Sequence, residues 1–439
     1  MWMFRSRVKP KPTLYGFLVE NLIFGGVLGF TFMIFLWQIY LYYRQRKKNQ
    51  ATKQMPKEFN NIMDAETFKK CQHYQQDKIN FSLCSTLYSA IEEMLILVLG
   101  GIPFLWGVVG SLTAVFGFGP EYEILHSLLF LNFLTTFTTL TRLSWRLYET
   151  FVIKQRHGIN HQTLAIFLRE ALKKYILNQC LLLPVALLLH IIKIGGDNFF
   201  IYAWFLLFIV SLVYLSLYTA YNYYIAPFVG NSPSLPDGDL KKDIEAMAKS
   251  VDFPLSDSFT VKGKWNCVAS ARCSFLSETL PQVEGQRYND SEILAGMGHE
   301  LGHWKLYHTL TDFVINQTSS FLRFFFFSRM IGCRELFSAF GFTKTQPTVI
   351  GLFIIFQFIF APFNELLSFF RTVLSRRFEF QADAIAREMG KESGLHTALV
   401  KHNNYKLDFL VDDWLYCMYH RSHPPLLERL RALANAKQD

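Results

Sequence analysis

The length of its apolar runs constrains this chain more than any other feature. From Tyr15 to Tyr43 a single charged residue, Glu20, interrupts the run. An α-helix rises about 1.5 Å per residue, so about 20 apolar residues in succession cross the hydrocarbon layer of a membrane. Comparable runs recur. The pattern predicts seven spans: Tyr15–Tyr43, Met94–Phe118, Ile124–Leu140, Tyr175–Ile194, Phe199–Tyr221, Ser319–Phe342 and Pro347–Phe370. The sixth is the poorest, because Arg323, Arg329 and Arg334 interrupt it. The first run is too long for the core of a signal peptide and is expected to stay in the chain. With 51% hydrophobic residues, 44 Phe and only 18% charged residues, the composition excludes an ordinary soluble domain. The expected fold class is an all-α polytopic membrane protein seated in a lipid bilayer.

Basic residues set the orientation. Arg44-Gln-Arg-Lys-Lys48 follows the first span, and Arg142, Arg146, Lys154, Arg156, Arg169, Lys173 and Lys174 follow the third. Lys241, Lys242 and Lys249 follow the fifth, while the connections after spans two and four are short and nearly free of basic residues. If spans alternate, every basic loop falls on one side. That side is the cytosol, with the N-terminus across the membrane. Arg5, Arg7, Lys9 and Lys11 weigh against this but are fewer. The resulting organisation is 1–222 for spans one to five, 223–318 for a cytosolic segment, 319–370 for spans six and seven, and 371–439 for further cytosolic helices. The net charge of +9 lies mostly in these loops and suits anionic lipid headgroups. No motif accompanies it that would point to nucleic acid. The seven Cys are irregularly spaced, without C-x-x-C, and read as free thiols or small buried hydrophobes.

One segment carries chemistry. Gly298-His-Glu-Leu-Gly-His303 contains H-E-x-x-H. On a helix, residues four apart share a face, so His299 and His303 aim two imidazoles at one point, at the reach of a Zn²⁺ ion. Glu300 would stand beside the open coordination position and take a proton from water. A catalytic zinc needs a third protein ligand. Glu379 and Asp383 lie four apart in Ser375-Arg-Arg-Phe-Glu-Phe-Gln-Ala-Asp383: one could bind metal while the other orients a ligand His. They could equally pair with Arg376 and Arg377. Glu365 and Asp312 are rival ligands. His308, one turn past His303, reads as a partly exposed helix residue, and His423 as a surface His before Pro424-Pro425.

The stretches Asn289–Lys305 and Ser375–Asp383 resemble the two metal-ligand helices of the CaaX prenyl protease 1 family. Lys154–Thr163 resembles the family's cytosolic loop, and Gly195–Trp204, Leu235–Leu240 and Ser422-His-Pro-Pro425 resemble other stretches of it, in order along nearly the whole chain. The resemblance implies a ring of seven helices around a chamber, with a cytosolic gluzincin-like zinc-peptidase domain carrying a small β-hairpin. It implies zinc on His299, His303 and Glu379, Glu300 as base, Asp383 supporting a ligand, and His423 near the reacting carbonyl. It further implies an enzyme of the endoplasmic reticulum and inner nuclear membranes. That enzyme removes the aaX tripeptide from prenylated CaaX proteins and makes an N-terminal cut in the same substrates. Lys262–Leu280 departs from the family pattern: the family's substrate-holding Asn falls near Ala271, and the segment is shorter. The departure could mean a changed cleft, a sequence variant or an impaired enzyme; if Ala271 takes the place of that Asn, weak cleavage with intact metal binding is expected. The same residues would also serve a broader membrane-protein quality-control protease or a zinc-bound scaffold. Seven spans with intramembrane charge suggest a transporter, but no coupling-ion motif supports one.

Overall fold

The computed structural model describes residues 14–52, 54–55, 63–160, 162–220, 238–253, 257–261, 264–268, 288–406 and 411–435. The described residues are helical almost throughout. Five helical segments are long and apolar enough to cross a membrane: Tyr15–Ala51, Ala65–Val98, Pro120–Lys154, Leu164–Ile194 and Gly196–Ser216. A bent pair, Thr348–Ile359 and Ala361–Glu388, makes a sixth when taken as one broken span. The count of seven is therefore not reached among the described residues. The second span begins earlier than hydropathy suggests, within Ala65–Val98. Gly100, in the left-handed region with φ 68°, then breaks the apolar run and leaves Gly101–Val115 as a separate 15-residue helix. The sixth expected span is not among the helices long and apolar enough to cross a membrane. The helix His308–Met330 carries Arg323 and Arg329 and stops short, and Arg334–Ala339 is a separate short helix.

The chain divides into two compact units. The first comprises Met1–Tyr40, Ser82–Leu206 and Ser320–Asn364. Its packing is aromatic. Phe327 meets Phe199 and Phe356 edge-on, Phe324 packs on Phe356, and Phe340 stacks on Phe358. Polar residues of the apolar helices find partners on other helices, as buried polar groups must where water is scarce. Asn132 donates to Gln179 Oε1 at 3.0 Å, and the Gln179 amide donates to Thr135. His126 stacks on Trp106 and meets its carbonyl at 3.0 Å.

The second unit comprises Leu41–Phe81, Leu207–Ser319 and Glu365–Asp439. Its axis is the helix Asp290–Lys305, capped by Asn289, which accepts from the Glu292 backbone while the Glu292 carboxylate accepts from the Asn289 backbone. This reciprocal pairing satisfies two otherwise orphaned N–H groups. Lys401 closes on the same carboxylate at 2.7 Å. Most residues from Glu292 to Gly302 are buried, because apolar clusters cover the helix on two sides. One gathers Phe68, Ala295, Ala386, Leu399 and Leu430; the other gathers Ile244, Met247, Phe253, Met297 and Leu301. A helix so enclosed holds its polar side chains in place by default.

The strands Asp257–Val261 and Lys264–Val268 pair antiparallel, with Asp257 opposite Val268 and Val261 opposite Lys264. The rest of the divergent stretch, including Ala271, lies outside the described residues.

Candidate metal centre

Two helices build the centre, Asp290–Lys305 and Ala361–Glu388. They approach closely because the faces between them are small. A Cβ on Gly302 would lie 2.9 Å from Ala382 Cα and 3.0 Å from Ala382 O. Backbone atoms cannot swing aside, so any larger residue must part the helices, and such overpacking costs typically about 1–3 kcal/mol. Gly302→Ala should lower the melting temperature and weaken metal retention together. Wild-type zinc affinity in that variant would show that the close approach is not needed by the site.

Across this contact three donors converge. His299 Nε2, His303 Nε2 and the Glu379 carboxylate offer ligand atoms all within 4.8 Å of one another, and among the described residues they are the group that could hold a metal. The two ring nitrogens are 3.2 Å apart. Each lies 3.6 Å from a Glu379 oxygen. Bonds of about 2.0–2.2 Å to a tetrahedral Zn²⁺ place ligand atoms about 3.3–3.5 Å apart, so the spacing suits that ion. The donor chemistry agrees. His299 Nδ1 lies 2.8 Å from Asp383 Oδ1, which can only accept, so the ring hydrogen sits on Nδ1 and a lone pair is left on Nε2.

Charge around the group is carried by Arg429, which the sequence did not single out. Its guanidinium meets both oxygens of Asp383, at 2.8 and 2.6 Å, and Glu379 Oε2 at 3.2 Å. Burial works against the Arg429 charge, but the hydrogen bonds to Asp383 and the nearby carboxylates of Asp383, Glu379 and Glu300 hold its pKa above the usual value. The alternative pairing of Glu379 and Asp383 with Arg376 does not occur. Arg376 turns instead to Glu428 at 2.8 Å and to Cys417 Sγ. His423, exposed, brings Nδ1 to 2.9 Å from Glu379 Oε1. Glu300 is half-buried directly after His299. Of the rival ligands, Glu365 accepts a hydrogen bond from the Tyr419 hydroxyl, and neither it nor Asp312 belongs to the donor group.

His308 departs from its expected place. It is buried rather than partly exposed, with 4% of its surface accessible. Its Nδ1 lies 2.9 Å from His303 Nδ1 and its Nε2 lies 3.2 Å from Gln381 Oε1. Burial, reinforced by the His303 ring, pushes its pKa down to about 4. A His five residues after a ligand His, on the far side of a helix break, leaves no periodic signal.

Comparison with known proteins covers the same ground. Two family models match: CAAX prenyl protease N-terminal, five membrane helices, over residues 45–231, and Peptidase family M48 over residues 234–437. A CAAX prenyl protease 1 homolog of Mus musculus is 49% identical over 97% of this chain and 98% of its own length. The CAAX prenyl protease 1 of Saccharomyces cerevisiae is 30% identical over 93% of this chain and 94% of its own. The crystal structure of S. mikatae Ste24p superposes with a TM-score of 0.78 at 28% identity, covering 97% of this chain and 100% of that one.

Proposed function

The chain belongs to the CAAX prenyl protease 1 family of M48 metalloendopeptidases, and on that premise we propose how its residues act and on what. It is a multi-pass membrane metalloendopeptidase that processes CAAX proteins, and prenylated C-a-a-X chains are its substrates, cut to release the aaX tripeptide. The metal is zinc, held by His299, His303 and Glu379. The observation that carries this reading is the convergence of those three donors within 4.8 Å. Bound zinc supplies Lewis acidity toward a water and the scissile carbonyl. Glu300 takes the proton of the attacking water and returns it to the leaving amine. Asp383 fixes the ring hydrogen of His299, and Arg429 fixes Asp383. His423 approaches the substrate carbonyl from the outer side of Glu379. Its ring lies close enough to Glu379, at 2.9 Å, for the imidazole to hydrogen-bond the developing oxyanion.

Residues 223–318 and 371–439 make up the catalytic part of this reading, and 1–222 and 319–370 the membrane part. We assign the protein to the endoplasmic reticulum membrane, with the inner nuclear membrane continuous with it, and the catalytic residues to the cytosolic side. The distribution of Lys and Arg between Arg44 and Lys174 supports that orientation. The paired matches over 45–231 and 234–437 favour this reading over a scaffold or a transporter.

The purified protein should retain one zinc per chain through dialysis and cleave a farnesylated peptide in preference to its unprenylated counterpart. His303→Ala should retain none, because two remaining ligands do not hold the ion against dilution. Full zinc content in that variant, by atomic absorption, would overturn the ligand assignment. Equal cleavage of both peptides would overturn the substrate assignment.

A further inference from the structure

We propose that His308 and Gln381 are positioning residues that fix the tautomer of His303 and so present its Nε2 lone pair to the metal. The inference rests on the zinc reading above. His299 has an anionic support at Nδ1, but among the described residues no carboxylate pairs with His303 Nδ1. Its Nδ1 meets another imidazole, and a contact between two imidazoles can run in either direction. Gln381 decides the direction. Its Oε1 faces His308 Nε2 at 3.2 Å and can only accept, so the His308 hydrogen resides on Nε2 and its Nδ1 is an acceptor. His303 must then donate from Nδ1, which leaves Nε2 bare. The reverse polarity would put a hydrogen on His303 Nε2, 3.2 Å from His299 Nε2, where the ion belongs.

The surroundings hold this relay in register. His308 lies flat on Phe378, with ring centroids 4.0 Å apart and 12° between planes, so its two nitrogens point toward His303 and Gln381. Tyr307, just before it, adopts φ 55°, a left-handed conformation unusual for a bulky residue. That turn starts the helix His308–Met330 so that its first side chain reaches back to His303. Such backbone strain persists where the surrounding structure over-determines it. Phe378, Gln381 and Asp383 sit on the helix that carries Glu379. One helix thus supplies a ligand and orients both ligand histidines.

The test compares zinc affinities by competition with a chromophoric chelator. His308→Leu keeps bulk against Phe378 but removes the acceptor. It should weaken zinc binding by about 10–100-fold, the range for loss of an outer partner of a metal-ligand His. In His308→Asn the side-chain oxygen takes roughly the place of Nδ1, and affinity should return to within a few-fold of wild type. Gln381→Leu leaves His308 in place without its orienting acceptor and should fall between the two. Wild-type affinity in His308→Leu overturns the proposal. So does an Asn variant as weak as the Leu variant, which would mean that the ring acts by packing alone. A wild-type protein that binds no zinc overturns the metal reading instead.

Discussion

Glu300→Gln should keep its zinc and cleave a farnesylated peptide about 10²–10⁴-fold more slowly, the usual contribution of a positioned general base. The substitution preserves size and removes only the ability to take a proton. Glu300 stands outside the donor group of His299, His303 and Glu379. It is one residue, about 100° of helix rotation, from His299, so it would flank an ion held there rather than bind it. Glu379→Ala should lose zinc and cleavage together. Zinc content and single-turnover rates on the same preparations separate the two cases. If Glu300→Gln loses zinc while Glu379→Ala keeps it, the roles have been exchanged.

Arg429→Met should be the most destabilising single change in the second unit. The guanidinium is the cation between two buried carboxylates, with contacts of 2.6 and 2.8 Å to Asp383 and 3.2 Å to Glu379. Removing one partner of a buried pair costs about 3–5 kcal/mol, because the charge left behind loses its strongest counter-ion where water is scarce. In a unit of this size that corresponds to a fall in melting temperature on the order of 10 °C. The fall should be larger in chelator than in added zinc, since the ion replaces part of the missing positive charge. Arg429→Lys should recover only part of the loss, because an ammonium cannot reach both oxygens of Asp383 and Glu379 as a planar fork does. A Met variant that melts with the wild type would show that the carboxylates are not held by Arg429.

Sequence patterns reach the centre as far as helical periodicity carries. His299 with His303, and Glu379 with Asp383, each repeat at four residues, so both pairs could be read as single faces. That the faces meet follows from Gly302 and Ala382, whose smallness has meaning only once the helices are known to touch. Arg429 sits in Leu426–Asn435, where its spacing resembles any amphipathic helix, and its partner Asp383 is 46 residues away. His308 is hidden for a different reason: the turn at Tyr307 resets the helix phase, so counting from His303 gives the wrong side. In the membrane part, apolar runs located most spans but not their ends. Gly100 divides one run, and Arg323 and Arg329 deprive another of the unbroken apolar window that a span requires.

The centre is drawn from residues whose order along the chain sets when it can exist. A ribosome makes His299, Glu300 and His303 first, and Ser320–Asn364, which packs in the other unit, intervenes before Glu379. Asp383 and Glu379 then emerge as two adjacent acids whose counter-ion, Arg429, is still to come. Through part of the last third of its synthesis a nascent chain therefore carries the helix of His299 and His303 without the partner that completes the donor group. The charge balance of the centre is closed only when Arg429, near the end of the chain, is added and packs against Asp383 and Glu379.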